Sequence, residues 1–206
     1  LSRWRFEQDV TDSWGNNNGV NTGAGFTANA YEGGYALDLN GSEYVDLGRL
    51  EEIESSAFSI VIAWEETGQN QPASPYPTMF SKSGNGNDSY ERGILIGYQK
   101  GTQKWGVTAP AQSSIAYSSD VGTGYHQGVV TFSEDRSDVT VYVDGAQEDT
   151  GSHSQSGDWG FTAVVGADQE GDMGYWKGPV DDPRVYLKEL SATEVLNLWN
   201  TGRIDV

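Results

Sequence analysis

The chain contains no cysteine, which excludes both disulfides and thiol chemistry and leaves the redox compartment open. Basic residues are scarce: 12 Lys and Arg, only five of them Lys, stand against 30 Asp and Glu, for a net charge of −18 over 206 residues. A surface of that sign repels phosphates, so neither nucleic acid nor an anionic membrane is an expected partner. No apolar run approaches the roughly 18 residues that a bilayer span requires, so no membrane insertion is expected. The opening Leu1-Ser-Arg-Trp-Arg-Phe6 does not read as a signal peptide. A chain that begins inside an apparent strand is what a mature or excised segment would show. Hydrophobic residues make up 36%, below the usual globular share.

What is abundant is glycine (27) and aromatic residues (7 Trp, 11 Tyr, 6 Phe), a composition suited to many short strands joined by tight turns. Strand signals recur with turn residues between them. Phe58-Ser-Ile-Val-Ile-Ala-Trp64 is a nearly continuous apolar run and reads as a central buried strand. Tyr35–Leu39 and Tyr44–Leu47, separated by Asn40-Gly41, read as a hairpin, and Asp144-Gly145 closes another. Near the end, Ser191-Ala-Thr-Glu194 has the spacing of a capping box, and Val195, Leu198 and Trp199 supply one apolar face of a helix ending at Gly202. The reading is all-β: one domain over 1–206, two antiparallel sheets packed face to face, and one short C-terminal helix. Acids are dispersed rather than clustered, which suits a surface kept hydrated and screened in high salt, as in a halophile.

Several segments, in order, resemble the concanavalin A-like, laminin-G-like jelly-roll domains of bacterial and archaeal surface proteins. They are Trp4-Arg-Phe-Glu7, Asp12-Ser-Trp-Gly-Asn16, Gly34–Leu47, Phe58–Trp64, Val141-Tyr-Val-Asp-Gly145, and Gly178-Pro-Val-Asp-Asp-Pro-Arg-Val-Tyr186 running on to Leu190-Ser-Ala-Thr-Glu194. The chain departs from the pattern at Tyr125-His126, where the family usually has Trp-His, and at Pro183, which removes a ladder donor from the closing strand. The resemblance implies a jelly-roll sandwich and a structural Ca2+. Its ligands would be an acid of the first strand, a carbonyl of the second hairpin and an acid of the closing strand, which are Glu7, Asn40 or Gly41, and Asp181 here. Ca2+ accepts such a mixture of hard oxygen donors. Asp12 is either a further ligand or an Asx-turn residue.

A sugar presents an apolar face and a rim of hydroxyls, so its binding site needs aromatic side chains with polar neighbours. The loop aromatics Tyr76, Tyr90, Tyr117, Trp159, Tyr175 and Trp176 are the candidates, whereas Trp64 and Trp105 read as core. His126 reads as a satisfied core or edge histidine and His153 as a solvent-exposed loop residue. Asn40-Gly-Ser42 and Asn87-Asp-Ser89 are glycosylation sequons. The Glu-x-Asp-x-x-Glu strand of the fold's glucanases and the Gln-Ile-His strand of its lyases are both missing, so no catalysis is expected. The resemblance implies a noncatalytic recognition or adhesion module of a larger surface or fibre protein, extracellular or on a cell or virion surface, binding glycan or a surface protein. The alternative is a structural or oligomerisation domain, forming a homo-oligomer within a larger assembly.

Overall fold

Fifteen strands form among the residues that the computed structural model describes, which are 1–68, 77–83, 93–99, 101–109, 112–153, 160–168 and 174–202. They are β1 (Ser2–Arg3), β2 (Val20–Thr22), β3 (Gly25–Thr27), β4 (Ala36–Asn40), β5 (Tyr44–Asp46), β6 (Phe58–Glu66), β7 (Thr78–Ser83) and β8 (Gly93–Tyr98). The series continues with β9 (Lys104–Ala109), β10 (Gln112–Asp120), β11 (Gly124–Phe132), β12 (Asp138–Val143), β13 (Ala146–Ser152), β14 (Ala163–Val165) and β15 (Lys177–Tyr186), followed by the helix α1 (Ala192–Thr201). One sheet runs β13-β12-β11-β6-β15-β4-β3, with β1 also against β15; the other runs β10-β9-β8-β7-β14-β5-β2. Every strand pairing is antiparallel. The closing strand β15 lies between β6 and β4, so the two ends of the chain interlock in one sheet.

Alternation sorts the side chains. Along β6, Phe58, Ile60, Ile62 and Trp64 face the space between the sheets, while Val61 joins a second apolar cluster on the outer face. That outer cluster, with Val129, Tyr142 and Tyr186, is covered by Leu190, Val195 and Leu198 of the α1 region. The helix has the expected caps. Ser191 accepts from the Glu194 N–H, the Glu194 side chain accepts from the Ser191 N–H at 3.0 Å, and Gly202 closes the helix at φ 67°.

Inside the sandwich, Trp64 stacks on Trp105 with ring centroids 5.1 Å apart, and its Nε1 donates to the Tyr98 hydroxyl at 2.9 Å. The Trp105 ring lies on Gly128 of β11 so closely that a Cβ there would overlap it. Gly128→Ala is therefore expected to cost about 2 kcal/mol by overpacking. An unchanged urea midpoint would contradict this packing.

One sequence expectation changes. The Asn40-Gly41 turn does not close a hairpin, because β4 and β5 belong to different sheets. Leu37, Leu39, Val45 and Leu47 all bury themselves in the one core, and the chain crosses from sheet to sheet at the corner between them. The Glu43 carboxylate accepts from both the backbone and side-chain amides of Asn40, which holds that corner. Pro183 is accommodated at a register shift between Asp181 and Arg184, where Asp182 takes φ 50° and the Pro183 carbonyl accepts from Trp4 N–H at 3.0 Å. By contrast, Asp144 (φ 52°) and Gly145 (φ 80°) close the β12–β13 hairpin as expected.

Candidate functional site

The adjacent carboxylates of β15 have separate roles. Asp181 is fully buried; its Oδ2 accepts from the Tyr31 and Glu32 N–H groups, both at 2.9 Å, while Oδ1 has no hydrogen-bond partner. Burial, with the neighbouring Asp182 charge, outweighs those two bonds and pushes its carboxyl up to about 7. Asp182 instead pairs with Arg3 (2.6 Å) and with Arg184, and Glu32 bridges the same two arginines at 2.9 and 2.7 Å. Arg184 also donates to the Gly202 carbonyl at 2.8 Å, tying β1, β15 and the end of α1 together. The exposed Trp14 lies over both guanidinium groups, 5.4 and 6.0 Å from its ring centroid. Nothing in its loop sequence marked Trp14 as a stacking residue. Asp12 of that loop is a turn residue. Its carboxylate accepts from Arg3, Trp14, Gly15 and Asn17 N–H groups, and although burial opposes ionisation these bonds hold it below the usual range.

Of the expected metal ligands, Glu7 and Asp181 reach the same loop. Glu7 accepts from Gly34 N–H at 3.0 Å, two residues beyond the amide held by Asp181. Asn40 and Gly41 do not join them. Asn40 pairs with Lys177 and Leu37 with Val180, so Asp181 lies four residues along the strand from Asn40, about 13 Å away. Among the described residues no three His, Cys, Asp or Glu side chains converge as a metal cluster. The unpartnered, buried Asp181 Oδ1 is nevertheless a hard oxygen donor of the kind Ca2+ takes, and Glu7, which binds the same loop, would be the second carboxylate to hold such a cation.

The aromatic candidates divide. Tyr76, Tyr90 and Trp159 lie outside the described residues, as does Asn87. Trp176 is not a surface platform. It is fully buried, edge-on to Tyr98 at 5.2 Å, because the alternation entering β15 turns it into the core. Tyr175 is half-buried and bridges to Thr78. Tyr117 is half-buried on the outward face of β10, its hydroxyl hydrogen-bonded to Thr108 and its ring beside Gly106.

Next to Tyr117 the edges of the two sheets meet. The β10 N–H groups that no strand takes are held by side chains of β13: Tyr117 N–H by Asp149 and Ser119 N–H by Glu148, both at 3.1 Å. At the end of this seam opens a cavity of about 300 Å3, at the small end of the range for ligand pockets. Its walls include Ser119, Asp120 and Gly122 on one side, Asp144, Ala146 and Glu148 on the other, and His126 between them. Both ring nitrogens of His126 sit 2.8 Å from oxygens that only accept, Asp144 Oδ2 and the Gly122 carbonyl. Only the imidazolium donates to both, and the Asp144 bond raises the His126 pKa against the opposing effect of burial. The histidine thus clasps the loop before β11 to the β12–β13 turn, a satisfied side chain as its sequence context suggested, whereas His153 is not solvent-exposed but buried edge-on against Phe132.

Two twisted antiparallel sheets, interlocked chain ends and a terminal helix define a lectin-like jelly-roll sandwich. The family model described as the concanavalin A-like lectin/glucanases superfamily matches residues 39–196, and the chain belongs to that superfamily. No curated protein sequence matches it. Among solved structures, domain 4 of AbnA, an extracellular GH43 arabinanase from Geobacillus stearothermophilus in complex with arabinotriose, is similar at 20% identity and a TM-score of 0.67, with 96% of each chain covered. The CBM40 domain of the Ruminococcus gnavus IT-sialidase bound to α2,3-sialyllactose is similar at 14% identity and TM-score 0.62, covering 79% of this chain and 95% of that one. A mutant Trypanosoma rangeli sialidase gives 14% identity and TM-score 0.69; this chain spans 32% of its length. At these identities the likeness is one of fold.

Proposed function

We propose that this chain is a noncatalytic recognition module acting outside the cell, within a larger surface or fibre protein of a salt-adapted source, and that its partner is a glycan. The seam cavity carries this reading: a concavity of about 300 Å3, walled by hydrogen-bonding side chains, on a fold whose similar structures include sugar complexes. Of the acids around it, Glu148 is held at one oxygen by Ser119 and Asp144 by His126 and the Gln127 amide, and the Glu-x-Asp-x-x-Glu strand of the fold's glucanases is missing from the sequence, which favours binding over catalysis. A structural Ca2+ at Glu7 and Asp181 belongs to the same proposal, as a clasp across the 31–34 loop rather than part of the binding site. A glycan array probed at moderate and high salt tests the function, with binding to a defined set of oligosaccharides expected. Uniformly blank arrays under both conditions would remove the glycan reading.

A further inference from the structure

We infer that the seam cavity selects glycans that carry hydroxyl or ammonium donors and no acid group; this rests on the glycan-binding reading above. The His126 donors are taken by Asp144 and the Gly122 carbonyl, and the Ser119 hydroxyl donates to Glu148 Oε2. Of the residues that line the cavity, the Asp120 carboxylate and Oε1 of Glu148 make no hydrogen bond or ion pair among the described residues. Both only accept.

A ligand must therefore bring the hydrogens. Vicinal sugar hydroxyls do so, two donors spaced to meet the two oxygens of one carboxylate. The ammonium of an amino sugar does so as well. A sialic or uronic acid would instead place a third negative charge beside Asp120 and Glu148, with no Lys or Arg among the described residues of the cavity wall to neutralise it; Lys104, opposite Asp120 on β9, is not one of them. Val121 and Val143 also line the cavity but are buried in the core, so the exposed Ala146 is the apolar contact open to the C–H face of a pyranose. This specificity is the opposite of that implied by sialyllactose, the ligand of the similar CBM40 structure.

The test uses the full chain on an array holding neutral, amino and acidic glycans of matched length, followed by calorimetry on the best neutral and best amino hits, with α2,3-sialyllactose as the acidic probe. Neutral or amino glycans are expected to bind at least tenfold tighter than sialyllactose. Glu148→Gln and Asp120→Asn, which exchange a charged acceptor for an amide, should each weaken binding about tenfold. Ala146→Phe, at an exposed position on the cavity wall, should abolish binding with the near-UV spectrum of the fold unchanged. A blank array for the wild type removes the glycan reading together with this inference. Binding that prefers acidic glycans, or that survives Ala146→Phe and both amide substitutions, overturns the cavity assignment alone. Should Ala146→Phe fail to fold, the two amide variants carry the test.

Discussion

Arg184→Met is expected to lower the stability of the fold by about 3–5 kcal/mol, the range for removing one partner of a buried charge pair. The Arg184 guanidinium is buried and meets Asp182, Glu32 and the carbonyl that ends α1. Met fills much of the same volume, so little of the loss comes from a cavity. What remains is Asp182, itself buried, with Arg3 as its single cationic partner, and a helix terminus without its donor. For a chain of this size that loss corresponds to a fall in Tm of roughly 10 °C, read by urea and thermal unfolding. Neutralising the stranded acid should recover part of it, so Arg184→Met with Asp182→Asn should be more stable than Arg184→Met alone. A loss below about 1 kcal/mol would show that the cluster is solvated and no more than a surface ion pair.

This cluster also shows how much of the molecule can be read from its residues. Local chemistry was legible. The capping box of α1, the Asp-Gly turn, the buried run of β6 and the Asx turn at Asp12 each depend on residues within a few positions of one another. Pairing across the sandwich was not. Asn40-Gly41 has the residues of a hairpin turn, but whether the following strand pairs back depends on which sheet buries Val45 and Leu47, a choice made against β14 and β2 far along the chain. Trp176 and Tyr175 look alike in sequence, and only the point where β15 begins decides which of them turns inward. The seam cavity lay beyond reach for the same reason. Its walls come from the edge strands of two different sheets, and nothing near Ser119 indicates that Glu148 will stand beside it. Asp181 and Asp182 were legible as important but not as different, since the register shift at Pro183 sends one to the 31–34 loop and the other to the arginines.

That division of labour sets the second large effect, which concerns Asp181. In the metal-free protein its buried carboxyl, pushed up to about 7 from an ordinary 3.8, works against the fold once ionised. The sign follows from proton binding. Between about pH 4 and pH 7 the unfolded chain releases the Asp181 proton while the folded chain keeps it, so stability falls as pH rises through that window and levels off above it. The full difference is about 4 kcal/mol. In EDTA, Asp181→Asn, which cannot ionise, should lack this slope and be more stable than the wild type at pH 7 and above. Calcium should reverse the order. A cation held by Glu7 and Asp181 favours the ionised carboxylate, releases its proton on binding, and at a thousandfold excess over Kd stabilises the wild type by about 4 kcal/mol. Asp181→Asn and Glu7→Gln should lose most of that gain. Calorimetric and urea unfolding of the three proteins from pH 4 to 8, with and without Ca2+, separates the two effects. A wild type whose stability is indifferent to Ca2+ would sink the metal assignment while leaving the pH slope intact. A slope shared equally by wild type and Asp181→Asn would place the titration elsewhere among the carboxylates.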